Sequence, residues 1–264
     1  MTDSKKIVLI TGAARGLGRA IADYLFDQGY AVFGTSRHAN TSTRFPIVKS
    51  DVTNEQAVRA CVEQVVKEAG RIDVLINNAG LLIYGAVEEI SIEEARLQFD
   101  TNFFGAAQMI KACLPLMRQQ GGGYIVNISS LAALLGIPFW SYYTASKAAL
   151  EALSTSLRYE CRPWKINVSL IEPGDLGTGF TDEAAKLSMT EYEFARTRMV
   201  DEARASMASA PPPIIVAKLV DRILRSRTPR ARYRIGPDST LVGLIPYVPA
   251  SLVEFCTRKY YKQD

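Results

Sequence analysis

A doubly wound α/β fold, a Rossmann-type parallel sheet with helices on both faces, is the class this sequence predicts. Three observations predict it. Short β-branched apolar runs alternate with longer amphipathic stretches along most of the chain. Those runs are nearly all apolar, as strands are when helices cover both faces of a parallel sheet. The first of them leads straight into a glycine-rich turn and a helix-patterned segment. Crossovers between successive strands are expected to be right-handed.

The first strand is "KIVLIT", and residues 17–28 read as a helix closed by Gly29. "AVFGTS" and "FPIVKS" are strands, and residues 54–69 form a helix ending at Gly70. "DVLINN" is a strand. Residues 91–118 carry one continuous helical pattern, and Gly121–Gly123 lead into the strand "YIVNIS". A helix from about Tyr143 to Glu160 stops near Pro163, and "KINVSLI" is the next strand. Residues 175–213 are rich in Ala, Met and charge and read as helical flaps on the open side of the sheet. "PPIIVAKLVDRILRS" resumes an amphipathic helix, and "RYRIG" reads as a last strand. No linker or repeat interrupts the pattern, so residues 1–264 are expected to form one domain.

Composition narrows the function. The chain has 264 residues, 48% hydrophobic and 22% charged, as expected of a soluble globular protein with a large core. A net charge of +4, with the basic residues spread out, gives no reason to expect nucleic acid. Cys61, Cys113, Cys161 and Cys256 form no CxxC pair and the only histidine is His38, so no metal site is expected. Buried, reduced thiols and a cytoplasmic location are the corresponding reading. The N-terminus shows no signal-peptide h-region. "STLVGLIPYVPASLV" is broken by Pro246 and Pro249 and falls short of the roughly 20 apolar residues of a membrane span.

"VLITGAARGLGRAIADYL" joins a strand, a glycine-rich turn and a helix, with Gly12, Gly16 and Gly18 spaced as TGxxxGxG. One glycine suits the tight turn, one the approach of a pyrophosphate, and one close helix–strand packing. The helix N-terminus then offers N–H groups to the phosphates. An acid at the end of the second strand would bind the ribose 2′-OH of NAD. Ser36 and Arg37 stand there instead, and no Asp or Glu occurs from residue 28 to 50. A guanidinium suits a 2′-phosphate, so NADP(H) is expected over NAD(H).

Tyr143 and Lys147 are four apart and share one helix face, whereas Tyr142 pairs with Ser146. A phenol has a pKa near 10, too high for efficient proton transfer at neutral pH, and a neighbouring ammonium lowers it. Tyr143 can therefore act as acid or base in a chain nearly devoid of histidine.

Taken together, the motifs resemble the short-chain dehydrogenase/reductase superfamily over nearly the whole sequence. "TGAARGLG" matches its cofactor turn, "DVT" at Asp51–Thr53 the segment that meets the adenine, and "NNAG" at Asn77–Gly80 the motif beside the adenine ribose. "TNFFG" supplies Asn102, "NISS" supplies Ser130 ahead of the YxxxK, and "EPGDLGT" at Glu172–Thr178 matches the segment touching the nicotinamide. The resemblance implies a catalytic tetrad of Asn102, Ser130, Tyr143 and Lys147. Ser130 would steady the substrate oxygen, Tyr143 would pass it a proton, Lys147 would hold the ribose and lower the phenol's pKa, and Asn102 would hold a relay water. It implies cofactor contacts at Gly12, Arg15, Gly16, Leu17, Gly18, Ser36, Arg37, Asp51, Val52, Asn78, Ala79, Gly80, Tyr143, Lys147, Pro173, Gly174, Leu176 and Thr178. Ser129 is expected to serve the strand end, Tyr142 to pack, and His38 to lie on the surface.

The substrate side is read from three stretches: "LLIYG", "LAALLGIPFW" and residues 180–207. Leu81, Leu82, Leu134, Leu135, Phe139 and Trp140 make the first two strongly apolar, so a bulky, hydrophobic carbonyl or alcohol is expected. The apolar, proline-containing tail is similar to that of members acting on steroids or retinoids, and a position at a membrane surface is the alternative for it. One alternative function is a 3-oxoacyl-thioester reductase, for which Arg196, Arg198 and Arg204 could form a basic patch. Another is a non-catalytic NADPH-binding sensor, which would not need Tyr143. Small residues in "ASKAALEALSTSL" suit helix–helix contact in a homodimer or homotetramer.

Overall fold

The computed structural model describes residues 5–38, 44–178, 183–184 and 189–260. Its elements begin with β1 (Ile7–Ile10), α1 (Gly16–Asp27), β2 (Ala31–Ser36), β3 (Ile47–Lys49), α2 (Glu55–Ala69) and β4 (Val74–Asn77). Next are β5 (Ile83–Tyr84), α3 (Ile92–Phe99), a π-helical turn (Asp100–Phe104), α4 (Gly105–Gln119) and β6 (Gly123–Ile128). A 3₁₀ turn (Leu131–Leu134), α5 (Ser141–Glu160), β7 (Ile166–Pro173), β8 (Glu183–Ala184) and α6 (Glu193–Ser209) come after them. The chain closes with α7 (Ile214–Arg225), β9 (Arg232–Ile235), α8 (Ser239–Leu244) and α9 (Ala250–Tyr260).

Among the described residues, seven strands form one sheet in the order β3-β2-β1-β4-β6-β7-β9, and every pairing is parallel. Strand residues alternate between two cores. Val8, Ile10, Val74, Ile76, Val126 and Ile128 meet α1 and α7 on one face. Leu9, Leu75, Ile125 and Val168 meet α2, α4 and α5 on the other. The period of two sends successive side chains to opposite faces, and both faces are buried, which is why the strands look uniformly apolar. The winding reverses between β1 and β4, so a crevice is expected at their C-terminal ends.

Local signals place the helix ends. Asn54 Oδ1 accepts from Ala57 N at 2.9 Å ahead of α2, and Gly70 ends it in the left-handed region. Ser91 and Glu94 form a capping box on α3. The uninterrupted helix expected over residues 91–118 is instead split by the π-helical turn, which inserts an extra residue and rotates α4 relative to α3. Tail residues Pro246 and Pro249 do mark helix boundaries: a 3₁₀ turn spans Ile245–Tyr247, and α9 starts after Pro249. Of the four cysteines, three are buried as expected, but Cys256 is exposed on α9. No helix among the described residues is long and apolar enough to cross a membrane. Residues 180–182 and 185–188, part of the expected substrate segment, lie outside the described residues.

Candidate active site

The turn after β1 is shaped by backbone necessity. Gly12 has φ +68°, and a Cβ there would lie 3.1 Å from Ala79 Cα. A Cβ on Gly18 would lie 2.3 Å from Gly12 O, so α1 can pack on the turn only with glycine at that position. Thr11 holds the floor: its Oγ1 accepts from both Asn78 N and Ala79 N at 2.9 Å. Asn78 turns its amide back onto Thr11 O (2.9 Å) and Gly12 O (3.3 Å), so it braces the turn. Arg15, in extended conformation and without a side-chain cap, precedes α1, whose first turn carries no acid. The start of α1 therefore keeps N–H groups for an anion.

Other motifs converge on this turn. A Cβ at Gly16 would sit 3.6 Å from Thr178 O, which places the segment after β7 beside the glycines. Gly174 lies against Leu131, and its N–H donates to Ile235 O at 2.9 Å. Pro173 ends β7, and Leu176 is buried beneath the loop. Ser36 and Arg37 close β2 next to the turn, since Ala13 N donates to Thr35 O at 3.0 Å. Among the described residues no carboxylate pairs with Arg15 or Arg37, both exposed. The Asp51 carboxylate accepts from Thr53 N and Oγ1 at 2.9 Å each, and Val52 is buried against Gly105.

The four residues of the expected tetrad stand on three neighbouring pieces of chain. Tyr143 and Lys147 lie one turn apart on α5, with Lys147 Nζ 5.9 Å from the centre of the Tyr143 ring. Lys147 is only 4% exposed and donates to Ile128 O at 2.9 Å. Burial lowers its pKa from 10.5 to about 8, against the opposing charge of Glu151. The Trp140 and Tyr143 rings meet edge-on at 5.9 Å. Ser130 caps the 3₁₀ turn, its Oγ accepting from Ala132 N at 3.1 Å, which leaves its proton available to donate. Asn102, on the π-helical turn, holds Leu81 at both ends: Leu81 N donates to its Oδ1 and its Nδ2 donates to Leu81 O, each at 2.8 Å. Its Nδ2 also donates to Ser146 Oγ at 3.0 Å. A Cβ at Gly80 would be 3.5 Å from Asn102 Oδ1 and 3.6 Å from Lys147 Nζ, so "NNAG", Asn102 and Lys147 share one corner.

A profile of the short chain dehydrogenase family matches residues 6–187. The chain belongs to this family. A 3-ketodihydrosphingosine reductase of Bacteroides thetaiotaomicron is 38% identical to it, over 97% of this chain and 98% of that protein. Retinol dehydrogenase 8 of Bos taurus is 34% identical over 68% of this chain and 62% of its own length. A short-chain dehydrogenase from Streptomyces avermitilis superposes with a TM-score of 0.83 at 32% identity, covering 97% of this chain and 98% of that one. The protein is thus an oxidoreductase of a family that binds nicotinamide cofactors.

In this short-chain dehydrogenase the substrate side differs in part from expectation. Leu82 and Phe139 are core residues, 2% and 9% exposed, while Leu81, Leu134, Leu135 and Trp140 are half-buried. Phe139 adopts φ +64°, a strained conformation for an aromatic residue, and its carbonyl accepts from Gly85 N at 2.9 Å. Met199 and Val200 of α6 pack with Tyr84, Phe139 and Trp140. The three arginines weighed for the thioester alternative each face an acid. Arg196 is buried in an ion pair with Glu89, while Arg198 pairs with Glu202 at 3.4 Å and Arg204 with Asp201 at 3.9 Å. A cavity of about 780 Å³ runs along the outer side of α6 past Phe194 and Arg198, and no tetrad residue lines it. Sequence reasoning does not find Thr11, and spacing pairs Ser146 with Tyr142, whereas its hydroxyl meets Asn102; each acts through a single hydroxyl whose partner is set by tertiary contact. Tyr142 packs beside Ile83 and Ile90, and His38 is exposed, as expected, whereas the Ser129 hydroxyl, expected to serve the strand end, donates to Glu151 of α5.

Proposed function

We propose that the protein is an NADP(H)-dependent reductase of bulky, apolar ketones, or the corresponding alcohol dehydrogenase, with Tyr143 as general acid and base. The observation that carries this reading is Tyr143 one helical turn before a buried ammonium that also flanks Gly80. When bound, the nicotinamide supplies the hydride chemistry. Lys147 stabilises the Tyr143 phenolate and holds the ribose hydroxyls. Ser130 donates to the substrate oxygen as charge develops there. Tyr143 gives that oxygen its proton, or removes it in the reverse direction. Asn102 acts here by fixing Leu81 and Ser146, which sets the corner where Lys147 sits.

Arg37, with Arg15, supports a 2′-phosphate and hence NADP(H). The half-buried Leu81, Leu134, Leu135 and Trp140 support an apolar substrate, in keeping with relatives named for 3-ketodihydrosphingosine and for retinol. Arg196, buried in its pair with Glu89, is not available to an acyl-carrier or coenzyme A phosphate, which weakens the thioester alternative. The buried Lys147 beside Tyr143 argues against a purely sensory role. We also propose a homo-oligomer joined through the exposed side of α5.

The test is oxidation of NADPH and NADH with aliphatic long-chain ketones, retinal, steroid ketones and acyl thioesters. NADPH with a long or polycyclic ketone is expected to give the highest kcat/KM. Tyr143→Phe is expected to lower kcat at least about 100-fold with NADPH binding nearly unchanged. Turnover of the variant at the wild-type rate would remove Tyr143 from the chemistry.

A further inference from the structure

Beneath the tetrad lies a line of charge, buried at Lys147, Glu151 and Glu172 and reaching the surface at Arg232 and Arg234, that the hydride transfer itself does not use. Tyr143, Lys147 and Glu151 recur every fourth residue of α5 and lie on its inner side. Glu151 is 5% exposed. Its Oε1 accepts from Ser129 Oγ at 2.8 Å, and its Oε2 accepts from Arg232 Nη1 of β9. Arg232 Nη1 also donates to Glu172 Oε1 of β7 at 2.8 Å, and Arg234 Nε donates to Glu172 Oε2 at 2.8 Å. Glu172 is fully buried. Charges therefore alternate from Lys147 through Glu151, Arg232 and Glu172 to Arg234, across α5, β7 and β9. Both donors to Glu151 point at its oxygens, the pattern of an ionised carboxylate.

This line touches the site twice. Ser129 precedes Ser130, and Ile128, which accepts from Lys147, precedes Ser129. We propose that Glu151, clamped by Ser129 and Arg232, is a positioning residue that keeps Lys147 protonated over the working pH range of the Tyr143–Lys147 pair. The proposal deepens the hydride-transfer reading above and rests on it.

The physical argument concerns sign. A buried ammonium tends to lose its proton, and a carboxylate one turn away opposes that. The other groups facing Glu151 are Glu172 from β7, Arg232 from β9, and Tyr143 and Lys147 on its own helix; β6 brings the neutral Ser129, and the π-helical turn brings the neutral Asn102 to Lys147's corner. Burial and Glu172 push the Glu151 carboxyl upward, while Arg232 and Ser129 pull it down. Arg232 thus keeps Glu151 ionised, and Glu172 keeps Arg232 in place. Removing the Glu151 charge lowers the pH at which the coupled pair gives up its first proton, whichever member releases it.

The experiment is a carbon-13 NMR titration of the Lys147 side chain in the full chain, assigned by its loss in Lys147→Arg. Glu151→Gln is expected to lower the Lys147 midpoint by about one pH unit. Glu151→Asp, which keeps the charge, is expected to restore most of it. The alkaline limb of kcat/KM for ketone reduction is expected to move down with the midpoint, while KM for NADPH stays within about twofold, a split that a merely structural defect would not give. Should Glu151→Gln fold poorly, Glu151→Met with Arg232→Met removes both charges in an apolar replacement and should move Lys147 the same way, by less. An unchanged Lys147 midpoint in a folded variant overturns the proposal. A shifted midpoint supports the coupling even if no carbonyl is reduced, an outcome that would remove the hydride-transfer reading instead.

Discussion

Lys147 shows what burying a single charged residue asks of the fold. Its fall from 10.5 to about 8 corresponds to about 3 kcal/mol favouring the neutral amine in the folded protein. The ordinary lysine of the unfolded chain binds its proton more tightly. The penalty is therefore fully present below pH 8, shrinks as pH rises toward 10.5, and is absent above. Lys147→Met removes it, and also removes the bond to Ile128 O, worth about 1 kcal/mol. The cofactor-free variant is expected to melt about 5 °C higher than the wild type at pH 7. The gap is expected to close as the pH passes from 8 to 10.5, and ketone reduction is expected to be lost. A variant that melts lower at pH 7 and higher at pH 10 would contradict this sign. At the same scale, the glycines and the proposed tetrad are legible because the turn and the proposed chemistry demand those residue types at those spacings. Thr11 and Ser146 are not, because a hydroxyl's partner is set by tertiary contact.

At the scale of elements, apolar period and caps read well: β2 spans the residues quoted for it, and α2 starts after Asn54 as its cap requires. The π-helical turn is illegible because one extra residue leaves the amphipathic pattern on either side intact, yet that turn is what aims Asn102 at Leu81. The arginines of α6 mislead for a related reason: sequence gives their charge and not the acids opposite them. Arg196 reaches Glu89, whose side chain is fully buried and whose Oε2 accepts from Ala86 N at 2.9 Å. Arg196→Met leaves Glu89 as an unpaired buried charge and is expected to destabilise the α6 packing by about 3 kcal/mol. Hydrogen exchange of the α6 amides should rise, with α1 and β1 unaffected. Adding Glu89→Gln, which keeps the Ala86 bond, should restore most of the protection. If α6 exchange in Arg196→Met matched the wild type, the pair would not hold the helix.

Over the whole molecule, α5 links the site to the surface. Its inner face presents Tyr143, Lys147 and Glu151 to the sheet ends, and its outer side exposes Ala145, Ala148, Ala152, Ser156 and Tyr159. Those positions recur at three and four residues, so they form one stripe, and the small side chains of Ala145, Ala148, Ala152 and Ser156 let a second helix approach closely. Phe104, half exposed at the start of α4, adds apolar surface on the neighbouring helix. A dimer or tetramer joined there would support the helix that carries Tyr143 and Lys147. Ala152→Arg puts a long cation into the middle of that stripe, where pairing would bury it against its own symmetry copy. Light scattering on the wild type is expected to give the mass of a dimer or tetramer. The variant is expected to give that of a monomer, with unchanged circular dichroism because residue 152 faces away from both cores. A monomeric wild type, or a variant that assembles as the wild type does, would move the contact off α5.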